Sequence, residues 1–195
     1  METASLIARQ GDKYLIQVRD VKRIEFSRGE YPFIFPGACS LFGGRVEEGE
    51  DAKTALKREL AEELLGIILP ETLEHRSYNW STQLDEVYER INEAFHGNAD
   101  SFMGFDLESN VPPSALGRNR GKSFTYREFI AIKDQDHFYV GDFNQENLAN
   151  TELKEGEAHL WIPHYLLKSV VMDPTDKLAV LDDIVIRSEK GELEL

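Results

Sequence analysis

The sequence predicts a layered α/β or α+β domain, because strand-like and helix-like segments alternate within one chain of 195 residues. Residues 5–9 and 13–19 are rich in apolar side chains and flank the turn formers Gly11 and Asp12, which is typical of a β-hairpin. Residues 51–65 repeat apolar side chains at three- and four-residue spacing, the period of a helix with one buried face. This mixture indicates a sheet covered by helices.

Further elements are predicted on both sides of this helix. Three short segments are apolar or aromatic and have the composition of strands: 39–42, 124–132 and 159–162. Residues 84–95 carry one apolar stripe and are predicted to form a second helix. Asp173 before Pro174 is typical of a helix start, and an apolar face follows it. Segment 98–123 is rich in Gly, Pro, Asn and Ser and is predicted to be a long loop, so that 84–123 forms an insertion.

Length and composition fit a single domain that spans residues 1–195. The 36 acidic and 22 basic residues give a net charge of −14, which repels polyphosphate backbones and argues against bulk nucleic-acid binding. No apolar run reaches about 18 residues, so no membrane span is expected. The single cysteine, Cys39, excludes an internal disulfide, and the N-terminus lacks the features of a signal peptide. Together these features favour a cytoplasmic protein.

Three carboxylates within the predicted helix are the strongest chemical signal. Glu59, Glu62 and Glu63 follow a spacing that places them on one helical face, where they repel one another. A divalent cation reverses the sign of that interaction, since Mg²⁺ and Mn²⁺ prefer oxygen ligands. Arg58 precedes the cluster and can neutralise part of its charge. The alternative interpretation is an ordinary solvated acidic face, which explains most such patterns.

A longer pattern around these carboxylates resembles the Nudix box, written G-x5-E-x7-R-E-U-x-E-E-x-G-U with U a bulky aliphatic residue. Seven positions match the required spacing: Gly44, Glu50, Arg58, Glu59, Leu60, Glu62 and Glu63. Many fixed positions over a short stretch make a specific motif, here residues 44–66. The sequence departs at the end, where Leu65 occupies the position of the last glycine and Gly66 follows one residue late. We interpret this as a helix end that is one residue longer.

The resemblance implies an α/β/α sandwich with a mixed sheet, and a metal site on the box helix. The position of Glu59 matches a metal ligand or, in some members, the general base. Glu62 and Glu63 match metal ligands, and Glu63 matches the most critical one. Gly43 and Gly44 lack side chains, so the backbone can approach closely, and the carbonyl of Gly43 matches a further ligand.

The resemblance also implies supporting residues and a reaction. Glu50 and Arg58 match a pair that supports the catalytic site. A further catalytic and metal-binding carboxylate is expected before a late strand, where Glu155 is the candidate and Glu157 the reserve; both can equally be solvated loop residues. Members of the family cleave a diphosphate linkage in nucleoside diphosphates joined to another moiety, with Mg²⁺ or Mn²⁺ as cofactor. The implied partner is therefore a small-molecule nucleotide.

Residues outside the box are expected to select the substrate. A basic cluster of Arg118, Arg120 and Lys122 can contact a second phosphate or can simply keep the protein soluble. Arg19, with its neighbours Lys22 and Arg23, is a similar case. Four aromatic residues can stack on a base or belong to the core: Tyr78, Trp80, Tyr126 and Phe129. The 84–95 helix can pack on the core, cover the site or form a homodimer contact.

Three functions remain open at the level of sequence. The first is an active pyrophosphohydrolase, which the intact box carboxylates favour. The second is a non-catalytic sensor domain that retains the fold and binds a nucleotide. The third is an acid-rich cation-binding protein that carries the motif by chance.

Overall fold

The structure is a computed structural model that describes residues 2–19, 38–113, 121–133, 135–156 and 158–195. Its strands, in chain order, are β1 (Glu2–Gln10), β2 (Lys13–Val18), β3 (Cys39–Ser40), β4 (Phe42–Arg45), β5 (Leu64–Leu65), β6 (Glu74–Tyr78), β7 (Gln135–Asp142), β8 (Glu152–Leu153) and β9 (Ala158–Pro163). Its α-helices are α1 (Ala52–Glu63), α2 (Trp80–Ala94), α3 (Ala99–Met103), α4 (Tyr126–Ala131), α5 (Gln145–Leu148) and α6 (Pro174–Glu189). A 3₁₀ helix spans His164–Ser169.

A mixed sheet of seven strands organises the fold and confirms the predicted α/β class. The strand order is β3-β2-β1-β7-β6, with β4 paired to β1 and β9 paired to β2. β1 is the central element, since it pairs in parallel with β7 and antiparallel with β2 and β4. A separate two-stranded sheet joins β5 to β8.

Helices cover both faces of the large sheet. Successive side chains of a strand point to opposite faces, and β1 follows this rule with apolar residues on both sides. Its Ala4, Leu6 and Ala8 pack in one cluster with the apolar face of α1. Its Ile7 packs in a second cluster with α2 and α6. The result is the layered sandwich that the sequence predicted, with α1 on one face and α2 and α6 on the other.

The helix that carries the box carboxylates, α1, is shorter than the sequence predicted. Gly66 follows one residue after the motif position for a different reason than a longer helix. Asp51 caps α1 by accepting a hydrogen bond from the Thr54 N–H at 2.8 Å. The helix ends at Glu63, and the next two residues pair with β8 instead of extending the helix. Gly66 has φ +83° and follows this short strand, where a side chain would collide with the carbonyl of Asn150. The predicted one-residue helix extension is therefore wrong.

Other predictions are partly confirmed. The first hairpin, the strand before Pro163 and the helix after Asp173 form as expected. The predicted strand at 39–42 divides into β3 and β4, because the Leu41 N–H turns to bond the Asp176 carboxylate at 2.9 Å. The second helix begins at Trp80, four residues earlier than expected, and α3 lies within the predicted loop 98–123.

Residues 124–132 are not a strand, which corrects the prediction. Their aromatic composition suits a strand, but Thr125 and Glu128 form a capping box that starts α4. Two strands of the large sheet, β6 and β7, were not anticipated, nor were β5 and β8 of the small sheet. β7 is almost completely buried between β1 and β6, and its mixed polar and apolar sequence does not resemble a buried parallel strand.

Among the residues that the structure describes, no helix has the length and apolar character needed to cross a membrane.

Candidate active site

α1 directs its carboxylates toward β4 to different extents. Glu63 reaches the backbone, where its Oε2 accepts a hydrogen bond from the Gly43 N–H at 2.9 Å. Glu59 lies beside Gly44 and is half-buried, whereas Glu62 is exposed. The three carboxylates therefore share a helical face as predicted from their spacing, but only two of them face the sheet.

Glu63 is in an environment that disfavours its charge. Burial raises the pKa of its carboxyl to about 8, and the negative charges of Glu59 and Glu155 contribute in the same direction. Hydrogen bonds from Gly43 and Gln17 act in the opposite direction and only partly offset the burial. The largest influences on this pKa include no basic side chain. A buried carboxylate surrounded by other carboxylates gains stability when a cation is added.

The two glycines of the box allow this close approach. Gly43 has φ +141°, and a Cβ there would lie only 2.6 Å from the Ser5 Cα. A Cβ at Gly44 would lie 2.5 Å from the Glu59 Oε1. Any side chain at Gly44 therefore displaces the Glu59 carboxylate. The sequence indicated that these glycines bring the backbone near the carboxylates, and the contact observed at Gly43 is made by its N–H group.

Arg58 connects Glu59 to the loop before the helix. Its Nη1 donates to the Glu59 Oε1 at 2.6 Å and its Nη2 donates to the Glu50 Oε1 at 2.7 Å. The same Nη2 also donates to the Arg45 carbonyl at 2.8 Å. The hydrogen bond from Arg58 is the main reason that the pKa of Glu50 is lowered. The predicted supporting pair is thus assembled, and it orients Glu59.

The loop between β8 and β9 contacts the end of the box helix. The Lys154 N–H donates to the Glu63 carbonyl at 2.8 Å, and the Glu155 N–H approaches the same carbonyl at 3.4 Å. These bonds occupy a carbonyl at the C-terminus of α1 that has no partner within the helix. They bring Glu155 close enough for its charge to raise the pKa of Glu63. The reserve candidate, Glu157, lies outside the described residues.

Gln17 is a site residue that sequence analysis missed. The residue is only 4% exposed, yet it is polar and lies in the largely apolar strand β2. Its Nε2 donates to the Glu155 carbonyl at 3.1 Å, and its Oε1 accepts from the Ser40 Oγ at 3.3 Å. It also lies close enough to Glu63 to lower the pKa of that carboxyl. A buried amide among apolar neighbours is the signal that could have identified it.

The residues predicted to select the substrate lie in different environments in the structure. Three of the aromatic candidates are buried in the core and cannot stack on a ligand: Tyr78, Trp80 and Phe129. Tyr126 stacks on Phe105 at a ring distance of 4.4 Å. Lys122 is exposed. Arg19 contributes charge to the surroundings of Asp173, at the start of α6. Four basic residues lie outside the described part of the chain: Lys22, Arg23, Arg118 and Arg120.

The donor chemistry suits a hard divalent cation, although the ligands are not assembled. Carboxylate oxygens with excess negative charge are the groups that bind Mg²⁺ or Mn²⁺. Within the described ranges, no three His, Cys, Asp or Glu side chains are placed to hold a metal ion together. Arg58 currently binds Glu59, and Glu62 points to solvent. The residues therefore fit the cation by the chemistry of their donor atoms, while the described structure does not bring three of them together.

Comparison with known families identifies the chain. The NUDIX domain model matches residues 4–176, which is most of the sequence. The chain belongs to the Nudix family. A search of curated protein sequences gives no match.

Solved Nudix structures share this fold at low sequence identity. A bifunctional NMN adenylyltransferase/ADP ribose pyrophosphatase from Francisella tularensis aligns with a TM-score of 0.52 and 13% identity over 97% of this chain and 40% of that one. The Nudix chain thus spans about two-fifths of that protein's length. The same bifunctional protein has been solved with AMP and a manganese ion.

Two further structures have nearly the same length as this Nudix chain. The NUDIX domain of Shewanella oneidensis NrtR, complexed with ADP ribose, has a TM-score of 0.51 and 13% identity over 97% of this chain and 88% of that one. A C. elegans Ap4A hydrolase has a TM-score of 0.50 and 13% identity, covering 98% of each chain. At this identity the likeness establishes the fold.

Proposed function

We propose that this Nudix protein is a hydrolase that uses Mg²⁺ or Mn²⁺ to cleave a diphosphate linkage in a nucleotide derivative. The observation that carries the proposal is the position of the half-buried Glu63 carboxylate, which accepts a hydrogen bond from the Gly43 N–H at 2.9 Å and faces the charges of Glu59 and Glu155. Such an arrangement is unfavourable by itself and becomes favourable when a cation is bound. Membership of the Nudix family supports the same reaction class.

The proposed ligand set consists of Glu59, Glu62, Glu63 and Glu155, with the carbonyl of Gly43. A bound divalent cation neutralises phosphate oxygens and lowers the pKa of a water nucleophile. Arg58 donates to both Glu59 and Glu50, so the orientation of Glu59 depends on the Arg58–Glu50 pair.

The remaining site residues hold this constellation in place. The Gly43 N–H fixes Glu63 against β4, and Gln17 holds the backbone of Glu155 beside it through the Glu155 carbonyl. Arg58 keeps its charge, because hydrogen bonds from its guanidinium to Glu50 and Glu59 raise its pKa. This permanent cation offsets the negative charge of the Glu59 carboxylate and fixes its orientation.

Substrate selection is assigned to basic residues outside the box. Arg118, Arg120 and Lys122 form the proposed contact to a second phosphate, and Arg19 is a weaker candidate because it lies near Asp173. The substrate class includes nucleotide sugars and dinucleoside polyphosphates. The similar Francisella and C. elegans structures carry names of enzymes that act on ADP ribose and Ap4A. A homodimer and a cytoplasmic location remain predictions.

The test is a hydrolysis assay with ADP-ribose, nucleotide sugars, dinucleoside polyphosphates and nucleoside triphosphates, each with Mg²⁺ and with Mn²⁺. Glu63→Gln is the test variant, and Glu48→Gln is the matched control because Glu48 is an exposed carboxylate of the box loop. We expect Glu63→Gln to lose at least about a hundredfold in kcat/KM, since metal-site substitutions commonly cost this much. Glu48→Gln should retain wild-type activity.

The sensor function makes a different prediction. A folded, metal-loaded protein that binds ADP-ribose by calorimetry yet releases no product from any substrate would reject the hydrolase and support the sensor. Mn²⁺ binding that survives Glu63→Gln would instead place the cation at carboxylates other than Glu63.

A further inference from the structure

The start of α6 holds the edge of the short strand β3 that faces away from β2. The Cys39 N–H donates to the Val171 carbonyl at 2.8 Å, and the Cys39 carbonyl accepts from the Asp173 N–H at 2.9 Å. Two residues further along the strand, the Leu41 N–H donates to the Asp176 Oδ2 at 2.9 Å. Asp176 lies in the first turn of α6. The helix therefore fixes this backbone by three consecutive hydrogen bonds.

The Leu41 N–H lies two residues before the group that binds Glu63. The Gly43 N–H donates to the Glu63 Oε2 at 2.9 Å. Between these two amides, Phe42 packs with the apolar residues of α1, whereas Leu41 packs on the opposite side of the sheet with α2 and α6. This tripeptide thus connects α6 on one face of the sheet with Glu63 on the other.

The tripeptide is closely packed along its whole length. Leu41 is 3% exposed and Phe42 is 1% exposed, so the core encloses both side chains. The backbone of Gly43 lies against β1, where a Cβ would be 2.6 Å from the Ser5 Cα. Closely packed groups transmit a displacement to their neighbours. Loss of the hydrogen bond at Leu41 should therefore change the position of the Gly43 N–H.

The residues around Asp176 fix its own position. Asp173 caps α6 by accepting from the Thr175 N–H at 3.1 Å, and it pairs with the Lys133 Nζ at 3.0 Å. Burial and the charge of Asp173 raise the pKa of Asp176 to about 7, whereas Lys133 and the Leu41 N–H act in the opposite direction. Since burial disfavours its ionised form, the contribution of this carboxylate is its directed hydrogen bond to the strand.

We propose that Asp176 is a positioning residue for the metal site, because it fixes the Leu41 backbone and thereby the Gly43 N–H that orients Glu63. Asp176 acts from the opposite face of the sheet and is not a member of the proposed ligand set. This role rests on the proposed function, in which Glu63 is a metal ligand. The coupling between Asp176 and the Gly43 amide is measurable without metal or substrate.

Amide NMR of the full chain in EDTA tests this coupling. Asp176→Asn retains an oxygen acceptor and removes the charge, so the hydrogen bond from Leu41 should weaken and its amide proton should move upfield. We expect the Gly43 amide resonance to move as well, because both amides belong to one fixed backbone segment. Asp182→Asn is the matched control and should move neither resonance. Asp182 is also buried in α6, and a tyrosine and an arginine outside β3 and β4 bond it.

Mn²⁺ affinity, measured by calorimetry, tests the effect on the metal site without turnover. Asp176→Val removes the acceptor at a similar side-chain volume and should lower Mn²⁺ affinity about tenfold, as for other residues that orient metal ligands. Asp176→Asn should lose less than about threefold, because it still accepts the bond from Leu41. Asp182→Val and Asp182→Asn should retain the wild-type affinity at a temperature at which they are folded.

Two results would overturn the proposal. The first is a Leu41 resonance that moves in Asp176→Asn while the Gly43 resonance does not, which would leave Asp176 a structural residue. The second is an equal loss of Mn²⁺ affinity in the Asp176 and Asp182 variants, since general loosening of α6 would explain both. The asparagine variants give the answer if Asp176→Val does not fold.

The proposed function can fail separately from this role. A wild-type chain that does not bind Mn²⁺ would reject the proposed metal site. The Gly43 resonance in Asp176→Asn would still decide whether Asp176 positions this part of the backbone.

Discussion

Two groups of buried carboxylates in this protein have opposite surroundings. Asp183, in the middle of α6, accepts hydrogen bonds from the Tyr14 hydroxyl at 2.8 Å and from the Arg76 Nη1 at 2.7 Å, and the Arg9 Nη1 lies 3.4 Å away. Glu63, at the end of α1, is bonded by neutral donors and faces the charges of Glu59 and Glu155. One carboxylate is compensated by cations and the other is not.

Asp182, the neighbour of Asp183 in α6, is likewise hydrogen-bonded by a tyrosine and an arginine. It accepts from the Tyr78 hydroxyl at 2.6 Å and from Arg90 at 2.7 Å. Burial, together with these carboxylates, raises the pKa of Tyr14 and Tyr78 far above the usual range, so both remain hydroxyl donors. The comparison shows that burial of an acid does not by itself indicate a functional site. The charges around it distinguish a structural carboxylate from a candidate ligand.

The largest effect on stability is expected at Asp183. Asp183→Ala leaves Arg76 and the Tyr14 hydroxyl without their buried partner, which should lower the free energy of unfolding by about 3–5 kcal/mol. Urea denaturation measures this change. Asp142→Ala is the control, because the Asp142 side chain is 72% exposed although it pairs with Arg9, and it should cost less than about 1 kcal/mol. Equal losses in the two variants would mean that α6 does not depend on compensated charge.

In metal-free protein, removal of the Glu63 charge should have the opposite effect on stability to removal of the Asp183 charge. Its folded pKa, raised to about 8 from 4.5, means that the folded state favours the protonated form. Stability should therefore fall as pH rises from the unfolded pKa through the folded one. Glu63→Gln removes this titration and should stabilise the protein by on the order of 3 kcal/mol at pH 8.5, with little difference at pH 4.

Thermal denaturation in EDTA at the two pH values tests whether Glu63→Gln stabilises the protein only at the higher pH. Glu48→Gln should show no such pH-dependent gain, since Glu48 is exposed. Saturating Mn²⁺ should reduce or reverse the advantage of Glu63→Gln, because the cation stabilises the ionised carboxylate. A destabilised Glu63→Gln at pH 8.5 in EDTA would place Glu63 in the same class as Asp183.

A smaller loss of stability is expected when Gly44, whose backbone lies against the Glu59 carboxylate, is replaced. Gly44→Ala introduces a Cβ at 2.5 Å from the Glu59 Oε1, so the carboxylate must move away from its position beside Arg58. We expect a stability loss of about 1–3 kcal/mol, as for overpacking, and a larger relative loss of Mn²⁺ affinity. Gly121→Ala is the control, since a Cβ there meets no atom within 4 Å. Unchanged Mn²⁺ affinity in Gly44→Ala would remove Glu59 from the ligand set.

The smallest stability change is expected at Gln17, which positions Glu63 and the Glu155 loop. Gln17→Leu removes the hydrogen bonds to the Glu155 carbonyl and from the Ser40 hydroxyl and should cost about 1 kcal/mol in stability. Mn²⁺ affinity should fall about tenfold, as for residues that orient metal ligands. Calorimetry measures this affinity independently of turnover. Gln17→Asn, which retains the amide, should recover part of it, and equal affinities in both variants would leave Gln17 a purely structural residue.

Local periodicity was sufficient for some parts of the fold. The apolar spacing of α1, the turn residues of the first hairpin and the Asp173–Pro174 helix start each depend on neighbouring residues, and all three elements form. Amino-acid composition predicted the wrong element at residues 124–132, because a capping box begins a helix there despite the strand-like aromatic content. β7 was not predicted, because its burial depends on pairing with β1 and β6.

The sequence by itself determined that Glu59, Glu62 and Glu63 share a helical face, since a period of 3.6 residues fixes that relation locally. Tertiary structure decided which carboxylates are compensated. Asp183 meets Tyr14 across 169 positions of the chain, and Gln17 meets Glu155 across 138. Such contacts follow from strand order and layer packing, and no local pattern specifies them. The electrostatic difference between Glu63 and Asp183 therefore arises only when the sheet brings distant segments together.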